Sequence, residues 1–332
     1  MLRRWSIPTR FCAGMASGLI ALCASPAFAD ENGASIYLLG SGGPSAAVLP
    51  PLKGIYFGNS VYVYDASSNS QRNFNLGGNL VANVDTTLVA NFTSVLWVPS
   101  TNVLGGTLAV GALLPVGAPI VDAAAFLTGP AGRQVGVSVH DSALVVGDPL
   151  VTAEMGWKSG KIHVAFSGLL NIPVGEYREH QLANLSFHRW AGDLSTAVSW
   201  HDEESGWDVS GKIGLTINGK NDFTDYNSGN DLHFEASVEK TLSKQFSLGV
   251  QGYHFEQISD DSGSGARLGA YRGRITGLGG TVAYSTILGR SPSTFRLQVF
   301  QEFGAENRME GTAFMLSLSL PLHMKMPPQA AQ

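Results

Sequence analysis

From Trp207 to Asn218 the side chains alternate in character at every step. Trp207, Val209, Gly211, Ile213, Leu215 and Ile217 share one face; Asp208, Ser210, Lys212, Gly214, Thr216 and Asn218 share the other. A repeat of two is that of a β-strand, because successive Cβ atoms point to opposite sides of the pleat. The pattern recurs along the chain. Leu232, Phe234, Ala236 and Val238 alternate with His233, Glu235, Ser237 and Glu239. Phe246, Leu248 and Val250 alternate with Ser247, Gly249 and Gln251, and Phe314, Leu316, Leu318, Leu320 and Leu322 with Ala313, Met315, Ser317, Ser319 and Pro321. Earlier stretches at 55–63, 88–98 and 162–166 read the same way. Such runs are longer than the usual strand of a soluble sheet and suit a tilted strand crossing a bilayer.

Turn signals such as Asn218-Gly219-Lys220-Asn221-Asp222, Asn227-Ser228-Gly229-Asn230 and Ser243-Lys244 separate the runs. Long loops roughly alternate with short turns, the asymmetry of barrels that cross an outer membrane. The expected fold is therefore all-β: an antiparallel transmembrane β-barrel of about 12 strands, within a range of 10 to 14, over residues 53–322. A soluble sandwich with one buried face would produce the same alternation. The ends of the chain and the tryptophans favour the membrane.

Arg3, Arg4 and Arg10, an apolar stretch from Phe11 to Leu22 and the A-x-A site Ala27-Phe28-Ala29 make residues 1–29 a cleaved signal peptide. A lipoprotein site at Cys23 is the weaker alternative, because bulky Leu22 precedes it. Trp97, Trp157, Trp190, Trp200 and Trp207 fall near expected strand ends, where aromatic girdles form. Val103 to Val121 is a charge-free stretch long enough for a membrane helix, but its glycines with Pro115 and Pro119 favour a strand and turn. Residues 30–52 lack alternation and carry Gly40, Gly42, Gly43, Pro44, Pro50 and Pro51. They read as an irregular segment and a candidate plug at the periplasmic mouth, lined by Ile36, Leu38, Leu39, Val48 and Leu49. Residues 323–332 read as a polar tail.

Composition narrows the function. Both cysteines, Cys12 and Cys23, lie in the leader, so the mature chain has no disulfide, thiolate metal site or cysteine nucleophile. Loss of three arginines and no acid takes the net charge from −5 to −8, with no basic patch for nucleic acid. Charged residues are 14% of the chain, against about 25% in soluble domains. That suits a wall between lipid and water. The G-x-x-x-x-G-K matches at 206–212 and 214–220 lack the following Ser or Thr and cross strands and turns, so they are chance. No nucleophile elbow or HExxH helix is present, and the histidines are scattered. Neither catalysis, a cofactor nor a metal site is expected, although His140-Asp141-Ser142 and His201-Asp202 keep a hydrolase in view.

Charges inside strands point inward, since a lipid-facing charge near midplane costs about 2–4 kcal/mol. Lys212, Glu235, Glu239, Arg296 and Glu302 are therefore expected to line the lumen, where they either pair to fill it or shape solute passage. Arg296 and Glu302 are the candidates for holding the plug.

Several segments together resemble one family. They include Gly54-Ile55-Tyr56-Phe57-Gly58-Asn59, Gly147-Asp148-Pro149, Asn171-Ile172-Pro173-Val174-Gly175-Glu176-Tyr177-Arg178, Asn218-Gly219 with Thr224-Asp225-Tyr226, Gly279-Gly280-Thr281-Val282, and Glu306-Asn307-Arg308 with Glu310-Gly311-Thr312. Their order and spacing are similar to those of outer-membrane proteins associated with the meta-pathway of phenol degradation, often labelled transporters. The resemblance covers nearly the whole mature chain. It implies a bacterial outer-membrane channel for passive uptake of small hydrophobic or aromatic compounds. The expected partners are outer-membrane lipid and lipopolysaccharide, the solute and the barrel assembly machinery. A non-conducting barrel that binds or anchors is the alternative, and an outer-membrane hydrolase a third.

Overall fold

The computed structural model describes residues 31–68, 73–128 and 134–325. The expected signal peptide and the end of the C-terminal tail lie outside the described residues. Twelve long strands follow one another: β1 (Gly54–Ser67), β2 (Asn79–Val103), β3 (Gly106–Thr128), β4 (Leu150–Ser159), β5 (Ile162–Asn171), β6 (Ala191–Asp202), β7 (Trp207–Asn218), β8 (Asp231–Thr241), β9 (Phe246–Gln257), β10 (Arg274–Leu288), β11 (Ser291–Glu306) and β12 (Glu310–Met324). Each pairs antiparallel with the next, and β12 pairs with β1 from Gly54↔Met324 to Ser67↔Glu310. The sheet is closed, so its ladder satisfies the wall's backbone groups without water.

The connections β2–β3, β4–β5, β6–β7, β8–β9 and β10–β11 take two to four residues, and both ends of the barrel chain, Gly54 and Met324, sit at that rim. In the first of them Leu104 and Gly105 both have positive φ (47° and 77°), as a two-residue hairpin requires for its twist to match the strands. The opposite rim carries the long connections 129–149, 172–190, 219–230 and 258–273. The short-turn rim is accordingly periplasmic and the long-loop rim extracellular.

Alternation in sequence becomes two solvents in space. Ile213, Phe234, Val238, Val209, Leu248 and Leu297 point outward, while Ser210, Glu235, Ser237, Glu239 and Gln298 are buried inside. Leu318, expected on the lipid face, is half-buried. Trp97, Trp157, Trp200 and Trp207 gather at the periplasmic ends of their strands, and Trp190 stands at the extracellular end of β6. One exception to the apolar exterior is a cluster on β1 and β2. Asn59 Nδ2 donates to Asn91 Oδ1 (2.9 Å) and Thr93 Oγ1 (3.0 Å), so these outward amides satisfy one another.

Two boundaries differ from the reading of the sequence. Strand β12 runs to Met324 rather than Leu322, because a bulge opposite the Ile55–Tyr56 step absorbs Leu322 and pairing resumes at Ile55↔His323. The stretch around Pro115 and Pro119 is strand β3. The prolines are tolerated because β3 changes partner there, from β4 up to Leu113, to the short strand Val145–Val146, then to Gln134–Ser142.

Candidate functional site

The lumen is occupied by residues 31–53 over its full height. At the extracellular end Glu31 is fully buried; its N–H donates to Ser228 Oγ (3.3 Å) and its carboxylate accepts from Asn221 Nδ2 (3.1 Å). Burial pushes the Glu31 carboxyl above its ordinary range, against the pull of the Arg189 guanidinium. Lower down, Tyr37 stacks on His233 with ring centroids 3.6 Å apart. Gly40 and Gly42 donate backbone N–H groups to the two oxygens of Glu235 (3.0 and 2.7 Å), and Gln298 donates to the Gly40 carbonyl (2.9 Å). Ser45 donates to Asp208 and Ser210, and the Ala47 N–H to Ser199 Oγ (3.0 Å). Leu49 then packs beside Gly156, and β1 begins at the periplasmic rim.

The segment thus reaches well beyond the periplasmic mouth where the sequence placed it. The reason is its glycines. Gly40 has φ +86°, and a Cβ there would lie 2.5 Å from the Phe300 ring. The bared backbone can therefore offer its amides directly to the wall.

The wall residues singled out in the sequence differ in what they contact. Glu235 holds the segment, as just described. Lys212 faces Glu235 across the β7–β8 register, and its ammonium sits 4.8 Å from the Tyr37 ring centroid. Arg296 pairs with Glu239 and donates to Thr281 Oγ1 (2.8 Å), wall to wall. Glu302 accepts from Tyr64 Oη (2.6 Å), Tyr253 Oη (2.7 Å) and the Gly311 N–H (3.1 Å). Arg296 and Glu302 therefore make no hydrogen bond to residues 31–53 among the described residues; Glu235, Asp208, Ser199 and Gln298 do. Asp208 shares the inward parity of Lys212 on β7, so the signal for it was present in the sequence.

Of the apolar residues in the segment, Ile36 packs with Leu150 and Ala191, and Leu39 with the cluster of Tyr253, Phe255 and Phe300. Leu49 packs near Ala47, Ala165 and Ala197. Val48 donates its N–H to the Ser45 carbonyl in a turn (2.9 Å). Leu38 faces two cavities.

Those cavities are what the segment leaves open. The upper one, about 210 Å³, lies between residues 33–39, Tyr62 and Tyr64 of β1, Phe92 of β2, Pro115 and Pro119 of β3, and the loop residues Leu185 and Phe187. The lower one, about 500 Å³, extends towards the periplasm past Ser94, Ser317, Glu154 and Lys212. They share Ile36, Tyr37, Leu38, Phe92 and Leu150. Most of this lining alternates into the lumen and was implicit in the strand pattern. The loop residues Leu185, Phe187, Arg308 and Met309 carried no such signal.

Removing the Glu235 charge should loosen the segment. Hydrogen bonds to charged groups contribute about 1.5–3 kcal/mol. For Glu235→Gln, amide exchange at Gly40 and Gly42 is expected to speed up by tenfold or more; unchanged protection would mean that other contacts hold this stretch.

The family described as "Putative MetA-pathway of phenol degradation" matches residues 70–318, three quarters of the chain. The chain belongs to this family. Among solved structures, the fold of this family member is similar to the COG4313 outer membrane channel from Pseudomonas putida F1, with a TM-score of 0.63 and 17% identity, over 83% of this chain and 98% of that one. It also aligns with the CymD monoaromatic hydrocarbon channel (TM-score 0.43, 9% identity, 82% and 89% covered) and a Pseudomonas aeruginosa FadL homologue (0.41, 11%, 84% and 94%). No curated protein matches the sequence. The family member is an outer-membrane β-barrel, its apolar band in contact with membrane lipid.

Proposed function

We propose that this barrel is a passive channel that admits small hydrophobic or aromatic compounds, and that residues 30–52 act as its plug. The observation that carries the reading is the pair of lumen cavities meeting at Ile36, Leu38, Phe92 and Leu150. A polar lipopolysaccharide layer resists apolar solutes, whereas a path with aromatic and aliphatic side chains along its upper part and at its constriction offers them a lower barrier. The constriction consists of side chains from the plug on one side and the wall on the other. Rotamer changes at Leu38 and Phe92 would then gate passage without unfolding the segment. Lipopolysaccharide would surround the extracellular part of the apolar band, and the barrel assembly machinery would insert the chain. The neighbours' names, among them a monoaromatic hydrocarbon channel, agree with this substrate class.

The reading is not enzymatic. Ser195, His233 and Asp193 lie together, but Ser195 Oγ donates to Asp193 (2.5 Å) and His233 Nε2 also binds Asp193 (2.9 Å). The histidine nitrogen that would take the serine proton is thereby engaged with the carboxylate, and Tyr37 covers the ring. This arrangement suits anchoring, not acyl transfer.

A second reading, a barrel that binds without conducting, is favoured by the polar anchoring of the plug along the whole lumen. Proteoliposomes separate the two. Labelled toluene should equilibrate faster with protein-containing vesicles loaded with a toluene-binding sink than with protein-free ones. Equal rates would leave the binding reading.

A further inference from the structure

The upper cavity is mostly apolar; its charged lining residues are Arg308 at one corner and the carboxylates of Glu302 and Asp148. The Arg308 guanidinium lies over the Phe255 ring, 4.1 Å from the centroid, and Nη1 is buried without a hydrogen-bond partner. Both carboxylates of the lining are committed elsewhere: Glu302 accepts from two tyrosine hydroxyls and a backbone amide and makes no ion pair with Arg308, and Asp148 accepts from Asn171, Ser186 and the backbone amides of Gly175, Phe187 and His188. A buried cationic donor left unsatisfied is costly, and an anionic acceptor arriving in the cavity would relieve that cost. Further down the same path Lys212, over Tyr37, also has no ion pair among the described residues, whereas Arg296 is neutralised by Glu239. Among the described residues, the cavity-facing cations without an ion pair thus lie one in each cavity.

We infer that the upper cavity is a selective binding site for single-ring aromatic acids, with the ring against Tyr62 and Phe92 and the carboxylate on the Arg308 guanidinium. This rests on the channel reading and narrows its solute from hydrophobic compounds at large to aromatic monoanions. A carboxylate can accept from the guanidinium in a charge-assisted bond, while the aromatic lining takes the ring. Tyr64 stays with Glu302, which holds the cavity wall rather than the ligand. Lys212 provides the next positive station once the solute passes Leu38.

The test compares benzoate with its neutral isostere benzamide, by isothermal titration calorimetry on the full-length barrel in detergent. The wild type should bind benzoate at least tenfold more tightly. Arg308→Met keeps the length and the apolar packing over Phe255, so it should abolish that preference while leaving benzamide affinity unchanged. Arg308→Lys, which retains a charge but not the planar fork, should lose part of the preference only. If Arg308→Met does not fold, raising salt on the wild type should weaken benzoate and not benzamide. Equal affinities for the two probes in the wild type, or an equal loss of both in Arg308→Met, overturns the inference. Toluene equilibration in proteoliposomes keeps the two readings apart. Toluene passage without a benzoate preference sinks this inference alone. A benzoate preference without toluene passage leaves the site standing in a barrel that binds but does not conduct toluene.

Discussion

Ile213→Lys is expected to destabilise the barrel by about 2–4 kcal/mol, the cost of a lipid-facing lysine near the bilayer midplane. Ile213 sits halfway along β7, opposite Thr196 on β6 and Phe234 on β8, and its side chain points away from the lumen. Val238→Lys on β8 should behave alike. One residue away, Ser237 is buried inside the barrel, and its hydroxyl has no partner. Ser237→Thr should therefore cost less than about 1 kcal/mol. Reversible urea unfolding in lipid vesicles measures both. Equal tolerance on the two faces would mean that the register is slipped by one residue, since a single step exchanges every side chain between lipid and lumen.

Deleting residues 32–50 should raise single-channel conductance in planar bilayers several-fold and admit polar solutes indiscriminately. The wall does not need the segment for closure, because β12 pairs with β1 along its whole length. The groups that held the plug, Glu235, Asp208, Ser199 and Gln298, would face water in the opened lumen and would not be stranded without partners. Melting should fall, since Ile36, Leu39 and Leu49 lose their contacts, but a folded barrel should remain. A deletion that folds and leaves both conductance and hydrophobic-solute passage unaltered would end the plug reading. Glu235→Gln should show the same trend to a smaller degree, because it loosens one anchor and leaves the rest.

The two predictions differ in how much of their basis could be read without coordinates. Lipid-facing positions follow from parity alone, so Ile213 and Val238 could be assigned from alternation once the membrane was accepted. Parity also places Lys212, Glu235, Glu239 and Glu302 on the inward face. It does not say which of these charges meet. Glu239 and Arg296 lie on β8 and β11, and only the curvature of the closed sheet brings them together across the lumen. Glu235 likewise could have balanced Lys212; the threaded segment supplies its partners as backbone amides, which carry no sequence signature.

The sequence by itself determined the strand repeat, the closed antiparallel class, the approximate strand number and the face each strand residue takes. All of these are local consequences of a two-residue period and of the cost of placing charge in hydrocarbon. It also marked residues 30–52 as the piece that does not belong to the wall. Only the tertiary structure decided that this piece runs the full height of the lumen, that Glu235 and Asp208 hold it while Arg296 and Glu302 do not, and that Arg308 lines a mostly apolar cavity. Those outcomes depend on which strands stand opposite one another around a closed ring and on how far a glycine-rich backbone can approach them. Distances across a lumen are set by the closure of all twelve strands, and no window of neighbouring residues contains them.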